Sequence, residues 1–298
     1  MRRRYVTLDV FTAQRFCGNP LAVVFEPEGL DTAAMQTIAR EFSYPETVFV
    51  LPPDAASQRA RIRIFTPASE LPFAGHPTVG AAIALARTSG GDRQSFVIGE
   101  TIGPVSCDVA LRDADSGYAS FVLPRLPEPA GEVPDIASLA AGLGLAAADI
   151  DPTGLPPACW SAGVTYTFVP VRDLKTIAKA RPDAGRFENI YGIEGPGMAF
   201  VFCRECIDRV SDFHARMFAP GRGIAEDPAT GSAVAAFMGL YVEYLKPTDG
   251  VHRLRIEQGF EMKRPSLLDL GLTIAGGKLA KGEIGGDAVV VTEGVIEA

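Results

Sequence analysis

Five ionisable side chains sit where the apolar pattern changes period. Glu70 and His76 lie in RIFTPASELPFAGHPTVGAA (residues 63 to 82), and Glu226 and Asp227 lie in RMFAPGRGIAEDPATGSAVAA (216 to 236). Glu46 stands between Pro45 and the apolar run TVFVL. A carboxyl or imidazole group at the edge of an apolar element is partly desolvated, which moves its pKa toward values useful for general acid–base work. Proton transfer is therefore the chemistry to look for. Spacing alone does not choose between Glu46 and Glu70 as the base. Glu70 and Glu226 could equally bind backbone N–H groups or pair with arginine. His76 is one of only three histidines, with His214 and His252. On its glycine-rich turn it is either a capping residue or a proton-transfer group. Asp227, before Pro228, is either a turn former or a second acid.

Both stretches end in alanine-rich runs that read as helices. A helix N-terminus leaves about four backbone N–H groups without partners and carries the positive end of the macrodipole. Gly75 would let a ligand approach that backbone, and Pro77 suits a first helical position. Thr230, Gly231 and Ser232 make an equivalent small-residue start. Neither stretch contains GxxxxGK[ST] or GxGxxG, so no nucleotide cofactor is indicated. The histidines have no metal-ligand spacing, and the lone CxxC of Cys203 and Cys206 follows a strand pattern, so no metal is expected. Ser232 lacks the G-x-S-x-G setting of a hydrolase nucleophile. What is left is a pair of anion-binding starts suited to a small carboxylate substrate.

The elements that would position these residues repeat along the chain. YVTLDVF alternates as a strand, DTAAMQTIAREF reads as a helix with Asp31 at its N-cap, and SYPE breaks it before the strand TVFVL. RARIRIF places Arg59, Arg61 and Arg63 on one face and Ala60, Ile62 and Ile64 on the other. After the helix PTVGAAIALART come the strands SFVIG, GPVSCDVAL and YASFVL. PRLPEPAGEVP, with four prolines in eleven residues, reads as a linker. The pattern then restarts: a helix near 135 to 145, strands at VTYTFVPV, GMAFVFC and DFHARMF, a helix near 231 to 245, and a tail of strands and turns. Arg63 to Arg216 is 216 − 63 = 153 residues, and Gly75 to Gly231 is 231 − 75 = 156. Two copies of one unit, with three residues inserted in the second turn, account for both offsets. The expected domains are 1–126 and 127–298, the C-terminal strands being able to return to the first.

Composition bounds the rest. The 298 residues carry a net charge of −8, which disfavours a nucleic-acid partner. No run approaches 18 continuous apolar residues, so no membrane span is expected. Met1-Arg2-Arg3-Arg4 is followed by an alternating segment rather than a signal-peptide core. Five sparse cysteines suit a reduced, cytoplasmic protein.

Nearly the whole chain resembles the PhzF-like isomerases of phenazine biosynthesis. The residues that carry the resemblance are LDVFTAQRFCGNPLAVV (8 to 24), ETVFV (46 to 50), the GHPT stretch, EDPATGSA (226 to 233) and EQGFEMKRPS (257 to 266). The resemblance implies an α+β, diaminopimelate-epimerase-like fold: two pseudo-symmetric domains, each a curled, mostly antiparallel sheet around a central helix, with the active site between them. A homodimer is a possible assembly. Related racemases and epimerases use two cysteines at the helix starts; the matching positions here are Ala74 and Thr230, so a two-thiol mechanism is not available. The PhzF-like branch uses a glutamate that falls on Glu46. Carried over, Glu46 is the proton shuttle, His76 and Asp227 assist, and Gly75, Thr230, Gly231 and Ser232 hold the substrate. The implied activity is a cofactor-independent isomerisation of a small, cyclic carboxylic acid. An epimerase or lyase on the same fold, or a non-catalytic binder of small acids, is the alternative. One departure is Pro45, where the family often has serine: a hydroxyl is lost and the loop is stiffer.

Overall fold

The computed structural model describes residues 1–192 and 197–298. The chain divides into two compact units, Met1–Pro124 with Ile284–Ala298, and Arg125–Glu283.

In the first unit the elements are β1 (Arg2–Val10), β2 (Asn19–Phe25), α1 (Thr32–Phe42), β3 (Glu46–Leu51), β4 (Gln58–Phe65), β5 (Glu70–Leu71), α2 (Gly75–Arg87), β6 (Arg93–Glu100), β7 (Gly103–Leu111) and β8 (Ser116–Val122). Asp31 caps α1 by accepting the Ala34 N–H at 2.8 Å. Ser43, in the left-handed region at φ 55°, ends that helix and turns the chain toward β3. β1 and β2 are antiparallel, β2 and β3 parallel, β3, β4 and β5 successively antiparallel, β4 and β6 parallel, and β6, β7 and β8 antiparallel.

The second unit runs β9 (Glu128–Pro129), α3 (Ile136–Gly142), β10 (Ala158–Ser161), β11 (Thr165–Pro170), α4 (Leu174–Ile177), α5 (Ala184–Phe187), β12 (Ala199–Cys203), β13 (Phe213–Ala219), β14 (Ile224–Asp227), α6 (Gly231–Leu245), β15 (Gly250–Gln258) and β16 (Ser266–Ala275). β17 (Lys278–Glu297) begins in this unit, and its residues from Ile284 belong to the first, where Ala288 to Glu297 pair with β1. The pairing pattern of the first unit recurs: β10 and β11 antiparallel, β11 and β12 parallel, β12, β13 and β14 antiparallel, β13 and β15 parallel, β15 and β16 antiparallel. The repeat inferred from the two offsets is thus a repeat of topology.

Helix burial shows how each sheet uses its helix. α2 is buried on every residue from Gly75 to Ala86, and α6 on every residue from Ala233 to Leu240. A helix buried all round is wrapped rather than laid on a surface. The small side chains permit the approach of the strands: a Cβ on Gly239 would lie 2.3 Å from the Trp160 ring, so only glycine fits there. In the second unit Phe237 joins Phe168, Phe200, Phe202 and Phe213 in edge-on and tilted ring contacts.

Three local expectations differ from the structure. β2 and β10 are strands that the sequence pattern did not single out. β2 is buried at six of its seven residues, so it has no alternation to reveal it. α2 starts at Gly75, which makes Pro77 the third helical residue and not the first. The first-turn N–H groups have no intrahelical acceptor in any case, so proline is tolerated at that position too.

Candidate active site

The repeat is built from the same side-chain device in both units. Arg63 on β4 holds Glu70 of β5 through Nε–Oε1 at 2.7 Å and Nη2–Oε2 at 2.6 Å, with its guanidinium 5.0 Å from the Phe65 ring centre. Arg216 on β13 holds Glu226 of β14 at 2.7 and 2.8 Å, and lies 4.7 Å from the Phe218 ring centre. These bidentate pairs fix the turn that leads into each central helix. Arg63 also keeps the Glu70 carboxyl below its ordinary range. Glu70 and Glu226 are therefore each held by an arginine.

Glu46 is placed differently. It opens β3, in parallel register with Leu21 and beside Pro20 of β2. Its side chain is 15% exposed, and Oε2 lies 3.2 Å from Nε2 of His76, the second residue of α2. His76 is buried, and burial pushes its pKa down to about 3, against the opposing effect of a hydrogen bond to the Pro20 carbonyl. Nε2 lies on the Glu46 side, so the Pro20 carbonyl takes the Nδ1–H and the imidazole is neutral; the Nε2–Oε2 approach is a close contact without hydrogen-bond geometry. Gly75, immediately before His76, is the first residue of the same helix. The structure thus brings Glu46, His76 and Gly75 together.

The second set gathers at the start of α6. The Thr230 hydroxyl donates to Asp227 Oδ2 at 2.5 Å. The Ser232 and Tyr166 hydroxyls are 2.7 Å apart. Gln258, fully buried at the end of β15, ties the group down. Its Nε2 donates to the Asp227 carbonyl at 2.7 Å and to Thr230 Oγ1 at 3.0 Å, and its Oε1 accepts the Thr230 N–H at 3.1 Å. Ala74 and Thr230, the N-cap residues of α2 and α6, make no side-chain cap bond, so neither helix start is closed by its own cap.

The sequence profile of the family described as phenazine biosynthesis-like protein matches residues 8–294. The chain belongs to this PhzF family. It is 49% identical over 299 residues to an uncharacterized isomerase of Mesorhizobium japonicum, with 98% of each chain covered. It is 32% identical over 292 residues to the trans-2,3-dihydro-3-hydroxyanthranilate isomerase of Pseudomonas aeruginosa, again with 98% of each covered. The crystal structure of the Bacillus anthracis phenazine biosynthesis protein of the PhzF family superposes with a TM-score of 0.89 at 28% identity, covering both chains in full. The chain is an isomerase of the PhzF family, it acts on a small molecule, and its fold is the α+β, diaminopimelate-epimerase-like one.

Other sequence features of this PhzF-family chain have structural explanations. Burial pushes the Cys203 and Cys206 thiols each up to about 12, far from the range of a reactive thiolate. Among the described residues no three His, Cys, Asp or Glu side chains gather as a metal site. No helix in the described residues is long and apolar enough to cross a membrane. Sequence reasoning passed over Tyr166 and Gln258. Tyr166 lies in an apolar strand where nothing marks it. Gln258 is the second residue of EQGFEMKRPS, but its place opposite Ala215 appears only once β13 and β15 have paired.

Proposed function

We propose that this PhzF-family isomerase moves a proton on a small, cyclic carboxylic acid without a cofactor, with Glu46 as the shuttle. The single observation that carries the reading is the Glu46–His76 contact of 3.2 Å, made by a neutral imidazole anchored on the Pro20 carbonyl. In the forward step the Glu46 carboxylate takes a proton from a substrate carbon, and the electron pair left behind delocalises into the adjoining unsaturated system. Glu46 then holds the proton as a carboxylic acid, whose O–H the His76 Nε2 lone pair can accept. The proton returns to a different carbon of the same molecule, so nothing is oxidised or reduced. Asp227 assists by charge and hydrogen bonding, and Gly75, Thr230, Gly231 and Ser232 bind the substrate, with backbone N–H groups stabilising negative charge as it develops. Pro45 stiffens the backbone just ahead of the shuttle.

The test follows deuterium entering carbon from heavy water. The substrates are trans-2,3-dihydro-3-hydroxyanthranilate, the compound named for the Pseudomonas relative, and a panel of small cyclic acids. Glu46→Gln keeps the size of the side chain but cannot accept the proton, and exchange should fall by about two to four orders of magnitude. His76→Ala and Asp227→Asn should give smaller, parallel losses. Near-normal exchange by the Glu46→Gln protein would refute the role of Glu46. Product analysis separates isomerisation from an epimerase or lyase outcome.

A further inference from the structure

The register of the two units pairs two buried residues with unlike chemistry. On β4 and β6, Ala60 faces Ile98 and Arg61 faces Gly99; on β13 and β15, Phe213 faces Ile256 and His214 faces Glu257. With the offset of 153 relating Ala60 to Phe213, Ile98 matches Ile256, and therefore Glu100 matches Gln258. Both end the strand that follows the central helix, and both reach back to that helix's start. Gln258 bonds the N-cap residue Thr230 through its amide. Glu100 approaches the hydroxyl of Thr78, Oε1 to Oγ1 at 2.7 Å, and the same hydroxyl lies 2.8 Å from the carbonyl of the N-cap residue Ala74.

A hydroxyl has one proton to give. Toward the Ala74 carbonyl, which only accepts, Thr78 must donate. The contact with Glu100 is then satisfied when the glutamic acid O–H is the donor. The surroundings favour that form. Glu100 is 7% exposed, its Oε2 has no hydrogen-bond partner among the described residues, and the first turn of α2 holds no acidic residue and one titratable group, His76, which burial keeps neutral. The titratable group facing it from β7 is Cys107, a buried thiol that donates to the Val105 carbonyl and carries no charge. An ionised carboxylate would have one hydrogen bond and no counter-ion there.

We infer that Glu100 is a positioning residue that works as an uncharged acid: it donates to Thr78, Thr78 donates to Ala74, and this relay fixes the first turn of α2 that carries Gly75 and His76, as the amide of Gln258 fixes the first turn of α6. Burial agrees, pushing the Glu100 carboxyl up to about 8. The inference rests on the assignment of His76 to the active site, but its main readouts need no substrate.

The experiment compares full-length wild-type protein with Glu100→Gln, which keeps a neutral donor, and Glu100→Leu, which removes it. At about pH 6 the infrared difference spectrum of wild type minus Glu100→Gln should contain the C=O stretch of a protonated carboxyl group. A raised folded pKa means that the folded state binds a proton which the unfolded state has lost. Wild-type stability is therefore forfeited as pH rises from about 4.5 to about 8. The thermal midpoint of the Glu100→Gln protein should accordingly exceed that of wild type by a margin that grows across that interval and then levels. The imidazole nitrogen shifts of His76 should be retained in Glu100→Gln and altered in Glu100→Leu, with deuterium exchange lost by about 10²-fold in the latter and restored in the former. Absence of the protonated-carboxyl band, or a margin independent of pH, would overturn the inference. So would a Glu100→Leu protein with wild-type His76 shifts. If that protein does not fold, the infrared and pH arms on Glu100→Gln decide alone. Failure of the Glu46 shuttle would appear in the exchange assay of Glu46→Gln and leave the infrared and thermal results standing.

Discussion

His214 offers a quantitative test of how the second unit fixes the strand that carries Gln258. Its side chain and that of Glu257 are both fully buried. Nδ1 lies 2.7 Å from Glu257 Oε1, and Nε2 lies 3.1 Å from Glu261 Oε1. With a carboxylate on each ring nitrogen, both nitrogens must carry protons, so the group is an imidazolium. Burial by itself pushes the pKa down; the two carboxylates outweigh it and raise it to about 9. Glu257 also accepts the N–H groups of Ile207 and Asp208, at 2.6 and 2.9 Å, and its neighbour Gln258 holds Asp227 and Thr230. The clamp therefore fixes the strand on which that hydrogen-bond network depends. Between about pH 6.5 and 9 the folded state keeps a proton that the unfolded state releases. At about 1.36 kcal/mol per pH unit, roughly 3 kcal/mol of stability is present below pH 6.5 and lost as pH rises through 9. Urea unfolding followed by the fluorescence of Trp160, the chain's one tryptophan and a buried residue of the second unit, reads this directly. In His214→Gln the His214 share of the decline over that interval should vanish, leaving a less stable protein with a shallower pH response. The loss due to Glu100 is common to both proteins and cancels. A wild-type stability constant over this interval, or an equal slope in the variant, would refute the clamp.

The two arginine pairs should differ in cost. Arg216 is 3% exposed and also donates to the Ile177 and Ala180 carbonyls, so Arg216→Met should cost about 3–5 kcal/mol in urea unfolding. Arg63 and Glu70 have side chains 16% and 30% exposed, so Arg63→Met should cost about 1–3 kcal/mol; equal costs would contradict the burial argument. Protein dialysed against a chelator should keep its full exchange rate, and stoichiometric zinc in active protein together with loss of activity on chelation would overturn the assignment of the proton transfer to side chains alone.

Much of the fold is legible in the sequence because its determinants are local. The Arg-x-Phe-x-Pro runs at 63 and 216, the alternation of RARIRIF, and the alanine-rich segments opened by glycine each specify an element within a dozen residues. Their recurrence at offsets of 153 and 156 announces a duplicated unit. The repeated topology follows from that, whereas the α+β, diaminopimelate-epimerase-like class is implied by the family resemblance. The strands β2 and β10 escape because short, buried strands lack the alternation that a one-sided strand displays. The linker PRLPEPAGEVP shows where the chain changes unit, but the assignment of Ile284–Ala298 to the first unit is made by pairing with β1, at the other end of the sequence.

The chemistry divides along the same line. Sequence alone supplied the candidates: a carboxyl group after Pro45, a histidine on a glycine turn, and an acid before each helix. Spacing left Glu46 and Glu70 equivalent, because a carboxyl group's character depends on its neighbours in space, and the choice of Glu46 came from the family resemblance. Tertiary structure separates them. Arg63 claims Glu70 across a β4–β5 pairing, whereas the parallel register of β2 and β3 sets Glu46 beside Pro20 and His76. The match of Glu100 with Gln258 likewise belongs to the strand register, since Glu, Gln and their spacing carry no trace of it. Periodicity is a property of consecutive residues and survives in a string; desolvation, ion pairing and hydrogen-bond direction are properties of residues brought together from distant parts of the chain, and they exist only once the strands have paired.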